Sequence, residues 1–252
     1  MTSSTLSAAP GPMLQRLFHR LERYGPPSAE EFAALAAIMT PPRTIAPGQV
    51  LIQQFSAPQE STLLVSGLMG RLVTLRGGSQ QITALQVPGD FVDLHAFLLA
   101  RMDHSVVAMA ECTVTTAPHR ELRRLTDRYP RLARALWYLT IVDASIHRHW
   151  LTVLGRRDAL GRLAHLLCEL HVRLDDVGLV EDRGFDLPLT QSDAGDVLGL
   201  SAVHVNRVVQ QLRARGMVSW NRRRIEIRDW RALSDLAEFE PTYLQLEPQI
   251  ET

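Results

Sequence analysis

The residues best equipped for chemistry lie between Ser201 and Arg224. Ala202, Val203, His204, Asn206, Arg207, Gln210 and Gln211 share the outward face of a helical stretch, and Arg222, Arg223 and Arg224 follow as a run. An arginine fork fits O6 and N7 of guanine, an Asn or Gln amide fits the adenine edge, and further arginines neutralise phosphates. Six arginines and no acidic residue fall in this segment. Their field acts over the roughly 8 Å screening length of physiological salt, so a polyanion would feel it.

Those side chains need a frame, and the flanking sequence predicts one. Thr190 can cap a first helix whose buried side is Ala194, Val197 and Leu198. Gly199 allows a tight turn, and Ser201 caps a second helix with Val205, Val208 and Leu212 inward. Gly195 stands where the two helices cross, as a helix-turn-helix requires. After Gly216, Met217 to Trp220 and Ile225 to Ile227 flank Asn221-Arg222-Arg223-Arg224 as a small hairpin, a basic wing. From Ala232 to Thr252 there are five acids and no base. The chain holds 27 basic residues, all arginine, and 27 acidic ones, and this neutral total conceals a basic head followed by an acidic tail. The closeness of the two suggests a tail that shields the wing until DNA displaces it.

The other 200 or so residues read as a separate unit. Residues 1–12 are small, polar and proline-bearing, a loose arm. Met13 to Tyr24 and Ala29 to Ile38 read as short helices, the second capped by Ser28 with Glu30 and Glu31 in its first turn. From Gln49 to Ala117 short apolar or alternating runs are punctuated by Gly67, Gly77-Gly78 and Pro88-Gly89, which predicts a compact antiparallel barrel or roll. The period then becomes helical. His119 to Arg128 is a short helix, and from Pro130 no Pro or Gly intervenes until Gly155, giving roughly 38 Å of helix. Along it Ala135, Leu139, Val142, Ile146, His149 and Val153 recur at alternating spacings of four and three, with Leu132, Leu136 and Trp150 beside them. Such a seam can pair with its own copy. The fold class is therefore α+β.

Composition excludes much. With 46% hydrophobic and 21% charged residues, disorder throughout is excluded. No apolar run reaches the roughly 18 residues of a membrane span, and the start lacks a signal-peptide pattern, so a cytoplasmic location is expected. Cys112 and Cys168 cannot make a disulfide framework, a four-cysteine zinc site or, alone, an iron-sulfur cluster. No catalytic constellation is present. Asp93, His95, Asp103 and His104 lie in one stretch of the roll, which leaves haem or a metal open, although their spacing is not a recognised ligand pattern and no metal site is assigned.

Together these segments resemble the Crp/Fnr family of bacterial transcription regulators. The likeness rests on Gly67 and Gly70, on Val87-Pro88-Gly89-Asp90-Phe91, on the long helix, on Asp158-Ala-Leu-Gly-Arg-Leu-Ala and on the winged helix-turn-helix, and so covers nearly the whole chain. It implies an N-terminal β-roll sensor over residues 13–129, a dimerisation helix over 130–155, a DNA-binding domain over 156–234 and a tail over 235–252. It further implies a homodimer on a near-palindromic double-stranded operator and a contact with RNA polymerase. Carried over by position, Arg207 is the guanine reader, Val203 to Asn206 its neighbours, and Thr190 and Ser201 lie near the backbone. Leu132, Ala135, Leu139, Val142, Ile146, Trp150 and Val153 become the dimer interface, and Asp93, Leu94, His95, His104 and Ser105 the effector pocket. There the chain departs from the cyclic-AMP binders, which carry a glutamate for the ribose where Leu94 stands and an arginine for the cyclic phosphate where His104 stands. Losing both contacts costs on the order of 1.5–3 kcal/mol each, so cyclic AMP is not expected as ligand, nor is an iron-sulfur cluster. The competing readings are a sensor acting through protein contacts and a metal-dependent β-roll enzyme.

Overall fold

The computed structural model describes residues 11 and 13–247. The expected arm at residues 1–12 falls, apart from Gly11, outside the described residues, as does Glu251.

Two short helices open the fold, α1 (Gln15–Glu22) and α2 (Ala29–Ile38). Ser28 accepts from the Glu31 amide while the Glu31 carboxylate accepts from the Ser28 amide, a full capping box. The roll follows as β1 (Arg43–Ile45), β2 (Val50–Ile52), β3 (Glu60–Ser66), β4 (Met69–Thr74), β5 (Gln80–Gln86), β6 (Ser105–Ala108) and β7 (Cys112–Pro118). Every pairing is antiparallel, in one sheet ordered β1-β7-β3 and another ordered β2-β6-β4-β5. β1 was not foreseen, because three residues of Arg-Thr-Ile carry almost no period. Gly67 turns β3 into β4 at φ +97°, and a Cβ there would lie 2.6 Å from the Cys112 sulfur. Gly70 lies within β4.

A 3-10 turn, Leu94–Phe97, sits between β5 and β6. After the roll come α3 (His119–Arg128), the long α4 (Pro130–Arg156) and α5 (Ala159–Asp175), started by an Asp158 cap on the Gly161 amide. The C-terminal unit adds β8 (Gly184–Asp186), α6 (Gln191–Leu198), α7 (Ala202–Ala214), β9 (Val218–Asn221), β10 (Arg224–Ile227), α8 (Trp230–Ala237) and a last 3-10 turn, Pro241–Leu244. Three apolar clusters hold the parts together. One lies inside the roll around Leu64, Met69, Val106 and Val114. A second joins α1 and α2 to the first half of α4. The largest runs from Ile82 and Leu85 through Trp150 into α5 and the C-terminal unit. Cys112 and Cys168 are both buried in this framework, and burial pushes the Cys168 thiol up to about 12. No helix of the described residues is long and apolar enough to cross a membrane.

Candidate functional site

The helix-turn-helix forms as its residue types dictate. Thr190 accepts from the Asp193 amide, and the Asp193 carboxylate accepts from the Thr190 amide, so α6 begins on a closed capping box. Gly199 ends it in the left-handed region at φ +66°. Gly195 faces the Leu200 carbonyl so closely that a Cβ would lie 2.5 Å from it; any larger residue would push the two helices apart. Ser201 accepts from the His204 amide to start α7, and Val205, Val208, Val209 and Leu212 are buried beneath it. Ala202, Val203, Asn206, Arg207, Gln210 and Gln211 are left exposed, Val203 at 82%. His204 is half-buried, and its Nε2 lies 3.0 Å from the Arg207 guanidinium, so these two side chains already form a pair on the surface.

The wing is the β9–β10 hairpin, and β8 completes a three-stranded sheet ordered β8-β10-β9. Only Arg222 and Arg223 separate the two paired strands, and Arg222 adopts φ +54°, a left-handed conformation costing about 1–2 kcal/mol in a non-glycine residue. Trp220 donates its indole N–H to the Arg222 carbonyl at 3.2 Å, which helps hold that turn. Arg224 is tied back to the Glu181 carbonyl at 2.8 Å, whereas among the described residues Arg222 and Arg223 make no ion pair. Asn206, Gln210 and Arg213 of α7, with Gln191, Trp220 and Arg222, line one concave surface. The structure thus brings together the exposed amides and arginines that the sequence singles out.

The reading head is physically coupled to the rest of the molecule. Gln81 of β5 donates to the carbonyls of Asp196 and Val197 at 2.6 and 3.1 Å, and Arg162 of α5 donates to the Leu198 carbonyl at 3.0 Å. Both cover the open C-terminus of α6, where carbonyls lack helical partners and cations are favoured. Further along α5 lies a buried polar cluster. Arg173 of α5 bridges Glu169 at 3.1 Å and Asp90 of the roll at 2.9 Å, and Arg20 of α1 also binds Asp90. Glu169, fully buried, accepts from Trp150 of α4 at 2.9 Å and from Tyr243 at 2.7 Å.

Tyr243 gives the described part of the tail a contact of another kind. The turn Pro241–Leu244 buries Tyr243 and Leu244 against α4 and α5, with the Tyr243 ring stacked on His149 at 3.8 Å. Glu238 pairs with Arg157 at 3.2 Å, and among the described residues no tail carboxylate pairs with a wing arginine. A compact apolar anchor therefore holds Pro241–Leu244 against α4 and α5.

Within the roll, the expected pocket residues are divided among separate contacts, and only His95 and His104 lie close to one another. Arg71, buried at a register shift of β4, donates to the Val92 carbonyl at 2.8 and 3.0 Å and to Asp143 of α4 at 2.6 Å. Nothing in the sequence marked it. Asp93 is fully buried and accepts from the Thr62 amide at 2.5 Å, and burial raises its pKa to about 7. Leu94 packs in the apolar cluster under α1 and α4. Ser105 accepts from the Gln54 amide at 3.0 Å. The rings of His95 and His104 lie 5.2 Å apart, His104 Nδ1 is 2.7 Å from the Asp103 carboxylate, and donor atoms of all three residues lie within 4.8 Å of one another. Burial, and then the charge of Arg71, pushes the His95 pKa down to about 4, leaving that ring neutral.

Most of the stripe expected as a seam on the long helix is already covered by the chain itself. Leu132, Ala135, Ile146, Trp150 and Val153 are buried within the protomer, and Leu139 and Val142 are half-buried against it. Two elements, the roll side and the α5 side, each take up part of that stripe. Left exposed is the neighbouring stripe of Trp137 (64%), Ile141 and Leu151 (73%), with Ala144 and Arg148 completing the same alternation of four and three.

Comparison with known proteins agrees with this architecture. Residues 42–129 match the cyclic nucleotide-binding domain and residues 161–236 the Crp-like helix-turn-helix domain. The transcriptional activator protein FnrL of Cereibacter sphaeroides is 28% identical over 194 residues, covering 76% of this chain and 77% of that protein. The nitrogen fixation regulation protein FixK of Azorhizobium caulinodans is 28% identical over 211 residues, 83% of this chain and 84% of that one. The fold is also that of FixK2 from Bradyrhizobium japonicum, with a TM-score of 0.72 at 24% identity over 78% of this chain and 96% of that chain. With its roll, long helix and winged helix-turn-helix in this order, the chain belongs to the Crp/Fnr family of DNA-binding transcription regulators, which are not enzymes.

Proposed function

We propose that the protein binds a near-palindromic DNA operator as a homodimer, with α7 in the major groove and the wing arginines on phosphates. The observation that carries this reading is the exposed, acid-free face of α7 set beside two unpaired wing arginines. Arg207 reads a guanine, Asn206 and Gln210 read neighbouring edges, Val203 meets a thymine methyl, and Arg222 and Arg223 fix the register. The helix N-termini capped by Thr190 and Ser201 point amides at the backbone. Dimerisation uses the exposed stripe of Trp137, Ile141 and Leu151, so the seam lies one stripe away from the sequence expectation. Residues 13–129 act as the sensor, 130–155 as the dimer helix and 156–234 as the DNA-binding domain.

The signal is something other than a cyclic nucleotide. Leu94 is apolar and packed, Ser105 is committed to Gln54, and no arginine stands at His104 to hold a cyclic phosphate. Fluorescence anisotropy on operators selected from random sequence tests the main reading. The expected result is a two-fold symmetric site with half-sites about 34–36 Å apart and affinity falling steeply with salt. Sequence-indifferent binding that does not change with salt would overturn it.

A further inference from the structure

His95 and His104 stand out within the roll because each ends in a buried nitrogen without a role. Among the described residues, neither His95 Nε2 nor His104 Nε2 has a hydrogen-bond partner, although an unmet buried polar atom costs about 1–3 kcal/mol. The two ring centroids lie 5.2 Å apart, tilted to one another, and come from different segments, the 3-10 turn and the bend just before β6. His104 is 7% exposed, and its other nitrogen is already held by Asp103 at 2.7 Å. A carboxylate on Nδ1 fixes the tautomer with the proton on that side and presents the Nε2 lone pair, the usual outer partner of a metal-ligating histidine.

We propose that His95 and His104 bind one divalent transition-metal ion through their Nε2 atoms, with Asp103 positioning His104. Tetrahedral bonds of about 2.0–2.1 Å place donor atoms about 3.3 Å apart; one donor atom from each of His95, Asp103 and His104 already lies within 4.8 Å of the others, and rotation of the two rings closes the site. Water completes the coordination. Two neutral imidazoles select zinc, copper, nickel or cobalt over magnesium and calcium, which prefer oxygen. The guanidinium of Arg71 nearby is balanced by Asp143, bonded to it at 2.6 Å, and by Asp103 at the mouth. An entry path exists, because Asp103 is exposed and His95 also opens into the apolar groove between the 3-10 turn and α4.

The inference deepens the regulator reading by naming what the sensor half takes up, and it is tested without DNA, so either can fail alone. Chelator-treated full-length protein is titrated with Zn²⁺ against a chromophoric competitor. One ion per chain is expected, with at least a tenfold loss of affinity in His95→Gln and in His104→Gln. Asp103→Asn should weaken binding about 10-fold or more with the stoichiometry kept, and Cys112→Ser should leave it unchanged. Absence of binding, or binding retained in the double histidine variant, overturns the site; an unchanged affinity in Asp103→Asn overturns the positioning role. Co²⁺ added to the unaltered protein gives a readout independent of whether the variants fold. Ligand-field bands without thiolate charge transfer support the imidazole set, and a thiolate band or no spectrum refutes it.

Discussion

Replacing His165 by Gln should change how the protein responds to acid more than how stable it is at neutral pH. His165 lies on α5, 3% exposed, beneath Tyr243 and edge-on to Phe239. Burial pushes its pKa down from 6.5 to about 4, with nearby Glu169 opposing the shift. The folded ring is neutral, whereas the unfolded one takes a proton below about pH 6.5. Between those two values the unfolded chain binds more protons, so stability rises with pH. The contribution is whole above about pH 6.5 and is lost progressively as pH falls toward 4. Fully expressed, the difference between 6.5 and about 4 corresponds to roughly 3 kcal/mol, of which about 2 kcal/mol is gone by about pH 5. Gln does not titrate. Between about pH 7.5 and pH 5, the unaltered protein should lose about 2 kcal/mol more than His165→Gln, measured by urea unfolding followed by tryptophan fluorescence at one protein concentration. Whatever packing the substitution costs is present at both pH values and cancels in the comparison. Parallel pH profiles for the two proteins would refute the buried neutral histidine.

At the reading head, Arg207→Ala should cost about 1–3 kcal/mol of operator affinity and relax specificity at one base pair, while Arg223→Ala should weaken all sequences alike and reduce the salt slope by about 1; anisotropy on single-base operator variants separates the two. Arg173→Met leaves buried Glu169 without its cation and Asp90 with Arg20 alone, so it should destabilise by about 3–5 kcal/mol in urea unfolding. A loss under about 1 kcal/mol would mean that the cluster does not depend on this bridge. Leu151→Glu puts a charge on the exposed stripe of α4, and light scattering after size exclusion should then show monomer; a dimer as tight as before would place the interface elsewhere.

The sequence alone already showed the winged helix-turn-helix, because every feature that builds it is local. Thr190, Gly195, Gly199 and Ser201 act within four or five residues of themselves, and the arginine run needs no partner to be recognised. The ranges of α2 and α3 follow for the same reason, from a cap and a proline close at hand. Which stripe of α4 is covered within the protomer did not follow, since that helix carries two apolar stripes and periodicity cannot say which one its own roll and α5 will cover. Arg71 was equally hidden: one arginine among 27, and only the fold surrounds it with the Val92 carbonyl and Asp143.

The tail is the sharpest instance, because its most conspicuous feature in the sequence is not what places it. Five acids close behind a basic wing suggest an electrostatic partner, but surface attraction between mobile charges is worth little, about 1 kcal/mol or less per pair. Burying an aromatic and a leucine is worth about 1.5–3 kcal/mol for each side chain, and Tyr243 adds a hydrogen bond to a buried carboxylate. The apolar anchor therefore wins over the charge pattern. Its target, Glu169, draws donors from 19, 4 and 74 residues away, Trp150, Arg173 and Tyr243. One carboxylate thus ties α4, α5 and the C-terminal segment to one another. A rearrangement of α4 against α5 must break at least one of those bonds or carry the C-terminal segment with it, so this segment is tied to the contact between the two helices.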